Sequence, residues 1–187
     1  MVSKVSRRHF AKLAGLAALG HHVTCIDKDA KRVDKITRGL APFFEPGLDE
    51  VVAQCVANGT LASSTEVNGP VRAADVVLIA VGTPDHEGRI DLSQIEAAAS
   101  EIGAALRHKA AYTVVAVKST VVPGTTDGVV LRALERASGK KAGEPVGAAF
   151  ARAAFAGDRL FARDQSGMDR RQPQRPTPMI AMVIPRA

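Results

Sequence analysis

The chain is patterned as apolar runs alternating with stretches of helical spacing. Its clearest run is Val76 to Val81, six consecutive apolar residues bounded by Ala74-Asp75 on one side and Gly82-Thr83-Pro84 on the other. A short uninterrupted run rich in Val and Ile predicts a strand buried on both faces, the kind found in parallel sheets covered by helices. A second run, Tyr112 to Val117, ends in Lys118-Ser119-Thr120. Between the two, Leu92, Ile95, Ala98, Ile102 and Leu106 keep helical spacing, so the three pieces predict a strand, helix, strand unit. Its right-handed crossover puts the Gly82-Thr83-Pro84 and Ser119-Thr120 turns at one carboxyl edge of the sheet, where open α/β sheets bind ligands.

The same reading extends outward. His22 to Asp27 predicts a strand with an acidic last residue, followed by a helix over about 29–38 closed by Gly39. Glu45-Pro46-Gly47-Leu48 opens a helix through Val52, Cys55 and Val56 that ends at Asn58-Gly59, and Leu61 to Ser64 predicts a short edge strand. Pro123-Gly124-Thr125-Thr126 turns into a helix with Val129, Val130, Leu134 and Ala137 on one face, stopped by Ser138-Gly139. The alternation over residues 20–140 predicts an α/β, Rossmann-like doubly wound and mainly parallel sheet. At the amino end Val2 to Val5 predicts a short strand, and Ser6 a cap for a helix through Phe10, Leu13, Leu16 and Leu19. From residue 151 the pattern fails: 151–187 is rich in Arg, Pro and Gln and reads as a disordered tail. The expected organisation is a divergent segment 1–19, a nucleotide-binding domain 20–150 and that tail.

Composition changes this picture little. The 187 residues suffice for one domain with a real core. The net charge of +6 is uneven: residues 1–12 carry +4 and residues 151–187 another +4, so the folded middle is slightly acidic. With the excess confined to the two ends and no recognition motif beside it, no nucleic-acid partner is expected. No run approaches the length of a membrane span, and the two cysteines, Cys25 and Cys55, have no metal-ligand spacing. Ser6-Arg7-Arg8-His9-Phe10-Ala11-Lys12 is similar to a twin-arginine export motif, but its apolar run is short and passes into His21-His22 without a cleavage site. A cytoplasmic location is the expectation, with export as the alternative.

Asp27 carries the first candidate chemistry. An acidic residue at the tip of the second strand of a dinucleotide-binding fold accepts hydrogen bonds from the adenosine ribose and repels a 2′-phosphate, which selects NAD over NADP. In isolation, a helix N-cap or a solvated surface Asp is the better explanation.

Several ordered pieces together resemble the nucleotide-binding domain of the UDP-glucose/GDP-mannose dehydrogenase family. They are Gly20 to Asp27, Glu45-Pro46-Gly47-Leu48, Ala74-Asp75 through Pro84, Asp91-Leu92, and Lys118-Ser119-Thr120-Val121-Val122-Pro123-Gly124-Thr125-Thr126. Ser138-Gly139-Lys140-Lys141-Ala142-Gly143 leans toward the GDP-mannose 6-dehydrogenase branch, and the likeness covers about residues 13–150. The resemblance implies an oxidoreductase domain of polysaccharide biosynthesis. Its enzymes oxidise the C6 alcohol of a nucleotide sugar to a carboxylate in two NAD-dependent steps, through a cysteine-linked thiohemiacetal. It implies that Asp27 holds the adenosine ribose with Arg32 beside it, and that Thr83 and Thr120 contact NAD. A nucleotide sugar is the partner of the full-length enzymes, and homo-oligomers are implied.

Three departures limit the activity expected. The family's glycine-rich fingerprint should lie between Lys4 and His9, yet no glycine occurs there. After Val146 to Phe150 the family's Asn-Pro-Glu segment is replaced by Ala151-Arg152-Ala153-Ala154. The nucleophilic cysteine belongs to later domains, and neither Cys25 nor Cys55 occupies its place. The expectation is therefore an incomplete, catalytically incompetent fragment from an altered gene; the alternative is a non-catalytic binding or oligomerisation module. No catalytic residue and no metal ligand is assigned.

Overall fold

The computed structural model describes residues 7–86, 89–119, 121–143, 150–156, 159–160 and 179–184. In chain order the elements are α1 (Arg7–Ala18), β1 (His22–Asp27), α2 (Ala30–Thr37), α3 (Leu48–Ala57), β2 (Leu61–Ser64), α4 (Asn68–Ala73), β3 (Val76–Ile79), β4 (Asp85–His86), β5 (Arg89–Ile90), α5 (Ser93–Leu106), β6 (Thr113–Val117), a π-helical turn (Thr126–Val130) leading into α6 (Leu131–Ser138), β7 (Phe150–Ala156), β8 (Arg159–Leu160) and β9 (Met179–Ile184). The sheet runs β2-β1-β9-β3-β6-β7-β8. Every neighbour pair from β2 to β7 is parallel, and only the two-residue β8 is antiparallel. The Rossmann-like, mainly parallel sheet expected from the alternation is present.

Helices cover both faces, which is why the strands read as near-continuous apolar runs. On one face Val77, Ile79, Val115 and Val117 pack with Ile95 and Ile102 of α5 and Leu134 of α6. On the other, Val23, Cys25 and Ile180 pack with Phe10 and Leu13 of α1 and Val52 of α3. The rings of Phe10 and Phe43 meet edge-on at 5.5 Å, closing this second core. β3 shows the consequence: Val77 and Ile79 are wholly buried toward α5, while Val76 and Leu78 pack against the α1 side.

Local signals explain the helix ends. Asp29 caps α2 by accepting from the Lys31 N–H, and the chain leaves that helix through Gly39 at φ +77°, a conformation side chains disfavour. In α5, Gly103 serves packing instead: a Cβ there would lie 2.7 Å from the Leu134 carbonyl oxygen, so α5 and α6 meet backbone to backbone. Three short elements, α4 and the β4–β5 hairpin, carry no periodic signal in the sequence.

The main correction concerns 151–187, expected to be disordered. Residues 150–156 form β7 and residues 179–184 form β9, a strand at the centre of the sheet. The local composition that suggests disorder is overruled by pairing partners distant in sequence: β9 is bound on one side by β1 and on the other by β3. The strand expected at Val2 to Val5 and the cap at Ser6 lie outside the described residues.

Candidate functional site

The carboxyl ends of β1, β9, β3 and β6 lie side by side, so the loops after them share one edge. β1 and β3 flank β9 and are therefore about 10 Å apart, two interstrand spacings.

Asp27 closes β1 and is 3% exposed. Its Oδ1 accepts from the Asp29 N–H at 2.9 Å and its Oδ2 from Arg32 Nη1 at 3.2 Å. Arg32 stands on the first turn of α2, which brings its guanidinium back over the strand end, and its Nε also approaches Asp29 Oδ2 at 3.5 Å. Burial pushes the Asp27 carboxyl above the usual range, against the opposing pull of the Asp29 N–H and the Arg32 guanidinium. Each carboxylate oxygen has one partner in these contacts and keeps acceptor capacity for another donor. The arrangement suits a ligand that brings hydroxyls.

Thr83 lies partly buried in the loop that follows β3, between Gly82 and Pro84. Its neighbourhood is clasped to the next loop by Ser119: the Ser119 Oγ accepts from the Val81 N–H at 2.9 Å and donates to the Val81 carbonyl at 2.7 Å. One buried hydroxyl thus satisfies both backbone groups of Val81 and holds the two turns in register. Thr120 lies outside the described residues. Of the predicted residues, Asp27 and Arg32 are in direct contact; Thr83 sits at the same edge two strands away.

Sequence reasoning did not single out three further groups at this edge. Ser119 is the first; its signal was a hydroxyl between a strand end and a turn. Lys12 of α1 and Lys118 after β6 form the second: they meet side chain to side chain, and burial together with the neighbouring ammonium holds Lys118 below the ordinary lysine range. The third is Thr125, at the head of the π-helical turn, whose buried Oγ1 has no hydrogen-bond partner among the described residues. Elsewhere, Lys28 pairs with Glu101, linking β1's exit to α5. Among the described residues no group of His, Cys, Asp and Glu could hold a metal, and no helix is long and apolar enough to cross a membrane.

Cys25 is wholly buried, and burial, with Asp27 nearby, pushes its thiol up to about 12. Such a thiol is inert, which agrees with its exclusion as a nucleophile.

The sequence model of the UDP-glucose/GDP-mannose dehydrogenase family, NAD binding domain, matches residues 10–152. The chain is 42% identical over 135 residues to a GDP-mannose 6-dehydrogenase of Pseudomonas syringae pv. syringae, covering 72% of this chain and 31% of that protein. It is 48% identical over 115 residues to a UDP-glucose 6-dehydrogenase of Rhizobium meliloti, covering 60% and 26% respectively. Among solved structures, a ternary complex of GDP-mannose dehydrogenase from Pseudomonas aeruginosa superposes with a TM-score of 0.72 at 30% identity, over 94% of this chain and 43% of that one. A UDP-glucose dehydrogenase from Pyrobaculum islandicum gives 0.69 at 31% identity, over 81% and 34%. The chain spans between a quarter and a third of the length of the curated relatives it matches.

Proposed function

The chain belongs to the UDP-glucose/GDP-mannose dehydrogenase family through its NAD-binding domain, and from that membership we propose that it holds NAD along the carboxyl edge of its sheet as the cofactor part of a nucleotide-sugar 6-dehydrogenase. The observation that carries this reading is Asp27: a buried carboxylate at the strand tip, oriented by Arg32 and the Asp29 N–H, with acceptor capacity left for ribose hydroxyls.

In this reading Asp27 receives the adenosine ribose and Arg32 fixes the carboxylate's rotamer. Thr83, on the turn clasped by Ser119, lines the path of the cofactor beyond the sheet centre, and Thr120, next in the sequence after Ser119, is its second contact in this reading. The phosphates meet an edge without the glycine fingerprint. When bound, NAD provides the acceptor for the hydride removed from the sugar's C6. This chain's residues bind and orient it. The nucleotide sugar is the partner of the complete enzyme. α1 argues against an export role for Arg7-Arg8, because Phe10, Leu13, Ala14 and Ala17 are buried in the domain core; the reading places the chain in the cytoplasm.

Calorimetric titration of the purified chain with NAD tests the proposal, with Asp27→Ala as the control. Saturable binding that the substitution abolishes is the expected result. A folded chain that takes no NAD would overturn it and leave the non-catalytic module as the better account.

A further inference from the structure

We propose that Met179–Ile184 is a transposed first strand: it fills, from the far side of the sequence, the central slot that a doubly wound fold gives to its first strand, and the residues matching the family do not form a continuous sheet without it.

The topology carries the argument. A dinucleotide-binding sheet has the order 3-2-1-4-5-6. Here the order β2-β1-β9-β3-β6-β7 is the same sequence of places with β9 standing where the first strand belongs. The orientation also agrees, since β9 is parallel to both neighbours. Pairing is complete: all six residues of β9 are in register with His22 to Asp27, and Ile180 to Val183 with Val76 to Ile79. Among the described residues, β9 is the only strand between the β2-β1 pair and the β3-β6-β7 group. Without it, two parallel edges would stand open across an apolar gap.

Side chains fit the slot from both faces. Ile180 joins the core made by Phe10, Leu13 and Val23, while Ala181, 1% exposed, joins the opposite core with Val77 and Ile95. The strand lies beyond residues 10–152, which match the NAD-binding-domain model. Same-chain docking is within reach: residues 161–178 extend up to about 60 Å, while β8 and the slot are four strand spacings apart, about 20 Å. The register places Ile184 beside Asp27, so the docked strand forms part of the edge that carries Asp27. This inference does not depend on the cofactor proposal.

Native-state hydrogen exchange of the full chain, read by mass spectrometry, tests it together with Ala181→Asp. The amides of 180–184 should be protected to within about tenfold of those of β1 and β3, as members of one cooperative unit. Exchange of 180–184 within seconds, while β1 and β3 stay protected, would overturn the proposal. Ala181→Asp, which drives a charge into the core, should abolish the protection of β1 and β3 as well as of β9. Unchanged protection and melting in that variant would overturn it. Protection of 180–184 should be independent of chain concentration; protection lost on dilution would mean that a second copy donates the strand and would overturn same-chain docking.

Discussion

Replacing Asp27 by Asn separates what this carboxylate does for the fold from what it does for the ligand. The amide has the same shape and keeps an oxygen for the Asp29 N–H, now 2.9 Å away, but loses the charge that faces Arg32 at 3.2 Å. Removing one partner of a buried pair usually costs about 3–5 kcal/mol because the other charge is stranded. That cost does not apply here: the Arg32 side chain is 24% exposed and retains Asp29 at 3.5 Å. The carboxyl's raised pKa, caused first by burial, means the folded chain disfavours the ionised form despite Arg32. Asp27→Asn should therefore melt within about 1 kcal/mol of the parent or above it at neutral pH. The sign in pH follows. A carboxyl raised in the folded state favours folding below its unfolded value, near 3.8, and that contribution is lost as pH rises through the folded value. The variant's advantage should thus be absent below about pH 3.8 and appear as pH rises. For NAD the direction reverses. Hydrogen bonds to a charged acceptor are worth about 1.5–3 kcal/mol, and losing one weakens binding roughly 10- to 150-fold. Calorimetry for NAD and thermal melts across pH measure the two effects. A Kd within twofold of the parent, or a neutral-pH loss of several kcal/mol without ligand, would refute the reasoning.

Three more outcomes are expected. Gly103→Ala should lower stability by about 1–2 kcal/mol in denaturant melts, because about 1 kcal/mol of helix propensity gained is outweighed by a Cβ pressed to 2.7 Å from the Leu134 carbonyl and 2.9 Å from the Ala137 Cβ; a stabilised variant would contradict the close approach. Ser119→Ala leaves the Val81 N–H and carbonyl without their partner and should cost about 1–3 kcal/mol while weakening NAD binding; unchanged melting and affinity would show that the clasp is dispensable. Cys25, wholly buried with its thiol pushed up to about 12, should resist a thiol reagent at pH 8 in the native chain and react only in denaturant, as mass mapping of the labelled peptide would show.

The parts of the fold legible in the chain are those whose signal is local. The apolar runs at Val76 and Thr113 became β3 and β6, the helical spacing from Ile95 to Leu106 became α5, and Asp29 and Gly39 bound α2 as their residue types predict. Each depends on the side chain's own preference and on the period of its neighbours. Asp27 was legible for the same reason, an acid closing a strand; its burial and the grip of Arg32 were not, because they depend on how α2 folds back over the edge.

What tertiary structure alone decided is the centre of the sheet. Met179 to Ile184 follows a stretch rich in Pro, Gln and Arg, and nothing in that neighbourhood names β1 and β3 as its partners. A strand's hydrogen bonds go to other strands, so its place is a property of the whole sheet and not of its own six residues. The Ser119 clasp, the Lys12–Lys118 encounter and the backbone contact at Gly103 are of the same kind. The sequence by itself determined the class of fold and the acid at the cofactor edge, because periodicity and residue chemistry are local; which strand completes the sheet, and which side chains meet at its edge, required the chain to close on itself.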